Sequence, residues 1–273
     1  MAGEPDWVPP EVDTKRANVA RVYDYWLGGS HNFLPDRDLA RAIVAVEPNI
    51  RAMARANRAF LGRAVRFLAA EGIRQFLDIG SGIPTEGNVH EAAQHAVPGA
   101  RVVYADIDPV AVAHSKAILA GNDSTAVIEA DLREPEQILT HPAVGQLIDF
   151  SQPTGLLLVA VLHVIADADD PWRIVATLRD ALAPGSYVVL CHATSESKPA
   201  VAQAIENLYT RSVTTGSRIR SRGEIMRFFE GFDLVDPGLV YMPQWRPQSP
   251  GDVPADPSHL WALVGVGRTP PSC

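Results

Sequence analysis

Three carboxylates and a pair of glycines carry the clearest chemical capacity in this 273-residue chain. Asp78, Gly80 and Gly82 stand together in FLDIGSG, Asp106 ends RVVYAD, and Asp131 sits in EADLREP. Glycines let a backbone approach a ligand closely, because no Cβ obstructs it. The neighbours decide which ligand. A phosphate-cradling loop, G-x-x-x-x-G-K-[ST], would use Gly82 and Gly87, but Asn88 and Val89 replace its Lys and hydroxyl residue. The dinucleotide fingerprint G-x-G-x-x-G requires a third glycine where Thr85 stands. That weakens the alternative of an NAD(P)-dependent oxidoreductase. The third pattern is D-x-G-x-G, with Asp78 ahead of the glycines. An acid there repels a pyrophosphate and suits a cation.

S-adenosylmethionine carries both an ammonium and a sulfonium, so it fits an acid-led loop of Asp78, Gly80, Ser81 and Gly82. The helix N-terminus that follows would favour the ligand's carboxylate. Asp106 comes 28 residues after Asp78, placed to accept from two ribose hydroxyls in NAD or S-adenosylmethionine alike. Ile107 is its neighbour, and Asp108 reads as the cap of a helix beginning at Pro109. Asp131 is placed to accept from an adenine amino group, with Leu132 adding a backbone N–H and an apolar contact. Each acid alone could be a cap or a solvated strand end. Three at the carboxyl ends of successive strands occupy the place where open α/β sheets bind ligands.

The elements that must hold these residues follow from apolar periodicity. Strand-like runs fall at 75–79, 101–106, 125–131, 155–162 and 186–193. Helical segments near 88–96, 109–120, 134–140 and 171–183 separate them. Apolar strands spaced by helices imply a parallel sheet covered on both faces. Two last strands, 232–242 and 259–268, flank a Pro-rich loop without a helix and so predict an antiparallel edge. Ahead of the sheet, a helix beginning near Val19 stops at Gly28-Gly29, a second covers 39–46, and a third runs from about Asn49 to Glu71. The arginines of the third, Arg51, Arg55, Arg58, Arg63 and Arg66, predict a solvated face. Residues 1–71 form an expected N-terminal arm and helical lid; residues 72–273 form the ligand-binding domain.

FLDIGSG, YADIDP, EADLREP and LVAVLHVIAD, in that order, resemble a class I S-adenosylmethionine-dependent methyltransferase. ARVYDYWLGGSHNF, QFLDIGSGIPTEGNVHE, RVVYADIDPVAV, DPGLVY and WRP further resemble a little-characterised methyltransferase family of high-GC bacteria. The likeness runs from about Asn18 to Arg268. It implies a Rossmann-like α/β fold, a seven-stranded, mostly parallel sheet in the order 3-2-1-4-5-7-6, and a helical N-terminal extension. It also implies S-adenosylmethionine as cofactor, bound by Gly80, Gly82, Asp106, Asp131 and their neighbours. Ser30 and His31 depart from the charged pair expected in such relatives. The family supplies no acceptor.

Methyl transfer asks mainly for positioning, with a general base only if the acceptor must lose a proton. His163, after the fourth strand, is the first candidate base; a structural histidine is the bland alternative. His31, Asn32 and Tyr23 belong to the segment expected over the ligand mouth, although Tyr23 and Trp26 also suit core packing. His90 and His95 are five apart, a poor metal spacing, and no metal site is read. Cys191 reads as a small buried hydrophobe, and Cys273 shares no ligand or redox spacing with it. The net charge of −8 without a basic run argues against nucleic acid. No apolar run reaches membrane length, and the acidic, Pro-rich start lacks a signal peptide's apolar core, so a cytoplasmic location is expected. A small-molecule acceptor fits best. A binding protein that transfers nothing remains the other reading, and the oligomeric state is open.

Overall fold

A computed structural model describes residues 12–84, 87–213 and 216–271. Thr85, Cys273 and most of the N-terminal arm lie outside the described residues. Three helices come first: α1 (Val19–Leu27), α2 (Leu34–Val46) and α3 (Ile50–Ala70). Then β1 (Gln75–Ile79), α4 (Val89–Ala96), β2 (Arg101–Asp106), α5 (Pro109–Ile118) and β3 (Thr125–Glu129) alternate. Next are α6 (Pro135–Leu139), α7 (Pro142–Leu147), β4 (Gly155–Val159), α8 (Pro171–Asp180) and β5 (Tyr187–Ala193). The chain closes with α9 (Pro199–Ser212), α10 (Arg222–Met226), β6 (Asp233–Leu234), β7 (Val240–Tyr241) and β8 (Ala262–Arg268).

The sheet order is β3-β2-β1-β4-β5-β8-β6, with β7 also pairing β8. β1 to β5 are mutually parallel, and β8 enters antiparallel between β5 and the edge. The expected order 3-2-1-4-5-7-6 is therefore present, with one difference at the edge. The single strand expected over 232–242 is two short ones, β6 and β7, both on β8. Between them Pro237 has no N–H to give the ladder, and Gly238 turns the chain at φ +83°.

Side chains alternate across the sheet as strand geometry requires. Phe76, Val102, Leu157 and Val189 point to a core shared with α1 to α4 and α9. Leu77, Val103, Leu156 and Val188 point to a second core shared with α6 to α8 and α10. Both faces are covered, which is why these strands read as nearly unbroken apolar runs. Short stops end the helices: Gly28 at φ +88° donates to the carbonyls of Asp24 and Tyr25 to close α1.

Three readings of the sequence need correction. α2 begins five residues earlier than expected, at Leu34, because Pro35 suits a first helical turn and Asp36 accepts from the Phe33 N–H at 2.7 Å. The 14-residue helix α9 was not foreseen at all. The arginines of α3 are not one solvated face. Arg63 is drawn in and donates to the carbonyls of Trp245 (2.9 Å) and Met242 (2.7 Å), while Arg58 turns toward β1. Among the described residues no helix is long and apolar enough to cross a membrane.

Candidate functional site

The site begins where β1 ends. Gly80 and Gly82 take φ +72° and +68°, the left-handed region that glycine enters without strain. A Cβ on Gly80 would lie 2.3 Å from a Val161 methyl, whereas one on Gly82 would meet nothing within 4 Å. Gly80 is thus required by packing, and Gly82 leaves open space above the loop. Across that space Ala160 has φ +61°, an uncommon strain for a residue with a Cβ, and it also faces the opening.

Asp106 ties the loop to β2. Its Oδ2 accepts the Gly82 N–H at 2.7 Å and its Oδ1 the Asp108 N–H at 2.9 Å. Burial pushes its pKa up, and these N–H groups pull the other way. Asp108, as the sequence suggests, caps α5 by accepting from Val110 N–H at 3.1 Å. Asp78 is 5% exposed, and burial raises its pKa to about 7. Arg58 lowers it and Asp106 raises it further. A buried carboxyl that faces a cavity and has, among the described residues, no cation in hydrogen-bond contact suits an incoming ammonium.

These groups border one cavity of about 220 Å³. Its wall includes Tyr23, Asp78, Gly80, Ser81, Gly82, Asp106, Ile107, Asp131, Leu132 and His163. Ile107 is 45% exposed, an apolar surface next to the Asp106 carboxylate. Asp131 is not free: Arg133 grips it through Nε (3.0 and 2.9 Å) and Nη2 (2.5 Å). Burial works to raise the Asp131 pKa, but the Arg133 hydrogen bonds and charge outweigh it and the net shift is downward.

His31 and Asn32 do not reach the cavity wall. The Asn32 amide donates to Asp24 Oδ2 (2.8 Å) and to the Gly29 carbonyl (3.0 Å). The His31 N–H donates to the same Asp24 oxygen at 3.0 Å, and its ring lies against His114. Asp24 itself is buried and sits where a Cβ on Gly29 would have to go, at 1.9 Å. The loop is therefore folded around a carboxylate of its own helix.

Tyr23 does reach the wall. Its hydroxyl donates to the Ala54 carbonyl (3.0 Å) and accepts from Asn57 Nδ2 (2.9 Å), and burial pushes its pKa up to about 12. His163 lies on a 3-10 turn, Leu162–Val164, and its carbonyl accepts from Arg218 N–H at 2.7 Å. Burial, then the charge of Arg220, pushes its pKa down to about 4, so the ring is neutral. Among the described residues its Nδ1 has no hydrogen-bond partner.

The residues that local reading misses come from helices. Arg58 and Asn57 of α3 and Tyr209 of α9 all line the cavity. For α3 a signal existed: Asn57 and Arg58 interrupt the stripe of Ala54, Leu61, Val65 and Leu68, where a polar residue on a buried face asks for a reason.

A family model described as S-adenosyl methyltransferase matches residues 5–270. The chain belongs to that family. This methyltransferase uses S-adenosylmethionine as its cofactor. It is similar to a candidate methyltransferase from Thermobifida fusca, 43% identical with a TM-score of 0.91, covering 97% of this chain and 100% of that one. It is also similar to a DUF574 family protein from Streptomyces avermitilis, 37% identical with a TM-score of 0.90, covering 94% and 99%. Human N-acetylserotonin methyltransferase in complex with S-adenosylmethionine shares the fold at 14% identity, with a TM-score of 0.50 over 93% of this chain and 63% of that one. No curated protein matches the methyltransferase in sequence.

The residues fit the cofactor. The Asp78 carboxyl beside the space over Gly82 suits the methionine end, and the Asp106 carboxylate with the apolar Ile107 beside it suits the ribose and the adenine.

Proposed function

We propose that the enzyme methylates a small-molecule acceptor enclosed beneath its N-terminal helices, residues 1–71 acting as the lid of a 72–273 cofactor domain. The observation that carries this is the single cavity wall on which Asp78, the glycine loop, Asp106 and Asp131 meet side chains from α1, α3 and α9. A macromolecular acceptor would have to displace those helices.

In this reading Asp78 holds the amino group and Arg58 the carboxylate of the methionine end, with Gly80, Ser81 and Gly82 passing beneath it. Asp106 takes the ribose hydroxyls, while Ile107, Asp131 and Leu132 surround the adenine. Tyr23, fixed by Ala54 and Asn57, closes the chamber from above. Held by these residues, S-adenosylmethionine would supply an electrophilic methyl group with a neutral thioether as its leaving group. The protein's contribution is alignment in a dry site. If the acceptor is a hydroxyl, His163 is the candidate to receive its proton, a neutral imidazole on the cavity wall whose pKa, held near 4 by burial and Arg220, makes it a weak base.

The test is calorimetric titration of dialysed protein with S-adenosylmethionine, S-adenosylhomocysteine and NAD. Micromolar binding of the first two and none of NAD supports the site. NAD binding alone would return the Rossmann-type oxidoreductase to first place.

A further inference from the structure

The cavity is charged on one side only. Among the described residues its five charged side chains are Asp78, Asp106, Asp131, Arg133 and Arg58. Four stand at the ends of β1 to β3, and the fifth acts on Asp78. Beyond β4 the described wall includes Cys191 and Ala193 of β5, Ile205 and Tyr209 of α9, Ser217 and Trp261, and no ionised side chain stands among its described residues. Most of these are almost wholly buried, and burial holds the Cys191 thiol neutral by pushing its pKa up to about 12.

An ionised acceptor entering this part would lose its hydration and find no counter-charge. A neutral molecule loses little and gains apolar contact. Tyr209 and Trp261 bring aromatic side chains to this wall, and flat rings pack against such side chains in offset or edge-on geometry. Two other polar groups on this wall are engaged: the Ser217 hydroxyl donates to the His163 carbonyl at 3.2 Å, and the His163 ring is assigned to the acceptor's proton. The Tyr209 hydroxyl is buried and lines the cavity; among the described residues it has no hydrogen-bond partner, and it acts as either donor or acceptor.

We infer that the acceptor is an uncharged aromatic molecule whose polar substituent bonds the Tyr209 hydroxyl in the chamber between β5 and α9. The inference rests on the proposed methyl-transfer site and specifies its substrate class.

The experiment titrates full-length protein, first saturated with S-adenosylhomocysteine, with 2-naphthol, 6-hydroxy-2-naphthoate and 6-(aminomethyl)-2-naphthol. The naphthol should bind and both charged analogues should bind at least about a hundredfold more weakly, the cost of an unpaired buried charge. Tyr209→Phe should weaken naphthol binding by roughly fivefold to tenfold, the worth of one hydrogen bond, while S-adenosylhomocysteine affinity is retained. Ala193→Phe, which fills the chamber from the strand side, should abolish naphthol binding and serves if Tyr209→Phe does not fold. Equal or tighter binding of either charged analogue overturns the inference. So does silence of the naphthol at millimolar concentration on loaded protein, or a naphthol affinity that neither substitution changes. Failure of S-adenosylhomocysteine itself is seen before any naphthol is added, and it overturns the site beneath the inference as well.

Discussion

Arg220 donates from Nη1 to Nε2 of His192 at 3.1 Å. His192 must therefore carry its proton on Nδ1, which it donates to the Ala193 carbonyl at 2.6 Å. Both side chains are fully buried. Arg220 also donates to the carbonyls of Leu162 and Ile165, each at 2.9 Å, and to Asp167 Oδ1 at 2.7 Å. One guanidinium thus fastens the segment carrying His163 to the end of β5, and its charge helps to keep that imidazole neutral.

Arg220→Met should lower stability by about 3 kcal/mol or more, because it strands the Ile165 carbonyl and the buried His192 nitrogen and leaves the Leu162 carbonyl and Asp167 one donor short. It should also raise the His163 pKa from about 4 toward the ordinary value, burial still holding it below. Carbon-13 NMR titration of histidine-labelled protein, assigned against His163→Gln, reads that shift. An unmoved His163 titration would mean that Arg220 is structural only.

Asp78 should make the cofactor-free enzyme less stable as pH rises. Its folded pKa, about 7, lies above its unfolded value, near 3.8. Between those two values the unfolded chain has already released the proton that the folded chain keeps. Stability relative to Asp78→Asn should fall by about 1.4 kcal/mol per pH unit in that window and level off above it. Urea melts of both proteins from pH 4 to 8 measure the difference. S-adenosylmethionine, whose ammonium would favour the ionised carboxylate, should bind more tightly as pH rises toward 7, and this dependence should vanish in Asp78→Asn.

The two loop glycines should separate folding from binding. Gly80→Ala collides with Val161 at 2.3 Å and adds left-handed strain, so a loss of about 2–4 kcal/mol is expected. Gly82→Ala meets no atom within 4 Å and should cost only the backbone strain, about 1–2 kcal/mol. Its Cβ enters the cofactor's space, so S-adenosylmethionine affinity should drop far more than stability does. Thermal melts with and without cofactor compare the two.

Asp106→Ala should reduce S-adenosylmethionine binding by about a hundredfold or more, since it removes both an acceptor for the ribose and the anchor of the Gly82 N–H. Asp106→Asn keeps a carbonyl acceptor and should retain part of the affinity. Calorimetry on both variants reads the split, and an unchanged affinity in Asp106→Ala would move the ribose elsewhere.

Much of this protein is local and was legible in the chain. The acids of β1 and β2, the glycine turn, the Asp108 cap and the alternation of strand with helix depend on neighbours within a few residues, where side-chain type dictates geometry. Parallel strands buried on both faces announce themselves as apolar runs, and their carboxyl ends follow from chain direction alone.

Tertiary structure decided what those ends face. Arg58 looked like one more solvent arginine until α3 packed across β4 and β5 and turned it toward Asp78. Tyr209, on the unforeseen α9, enters a chamber built by residues far from it in sequence, so no local pattern marks it. His31 and Asn32 have the polarity expected of a ligand contact, yet Asp24 of the preceding helix takes the Asn32 amide and the His31 backbone N–H, and the His31 ring lies against His114. The cofactor's half of the cavity is written along consecutive strands, because backbone direction places it. The part proposed for the acceptor is assembled from β5, α9 and the segments carrying Ser217 and Trp261, and its character exists only once the hydrophobic core has brought those faces together.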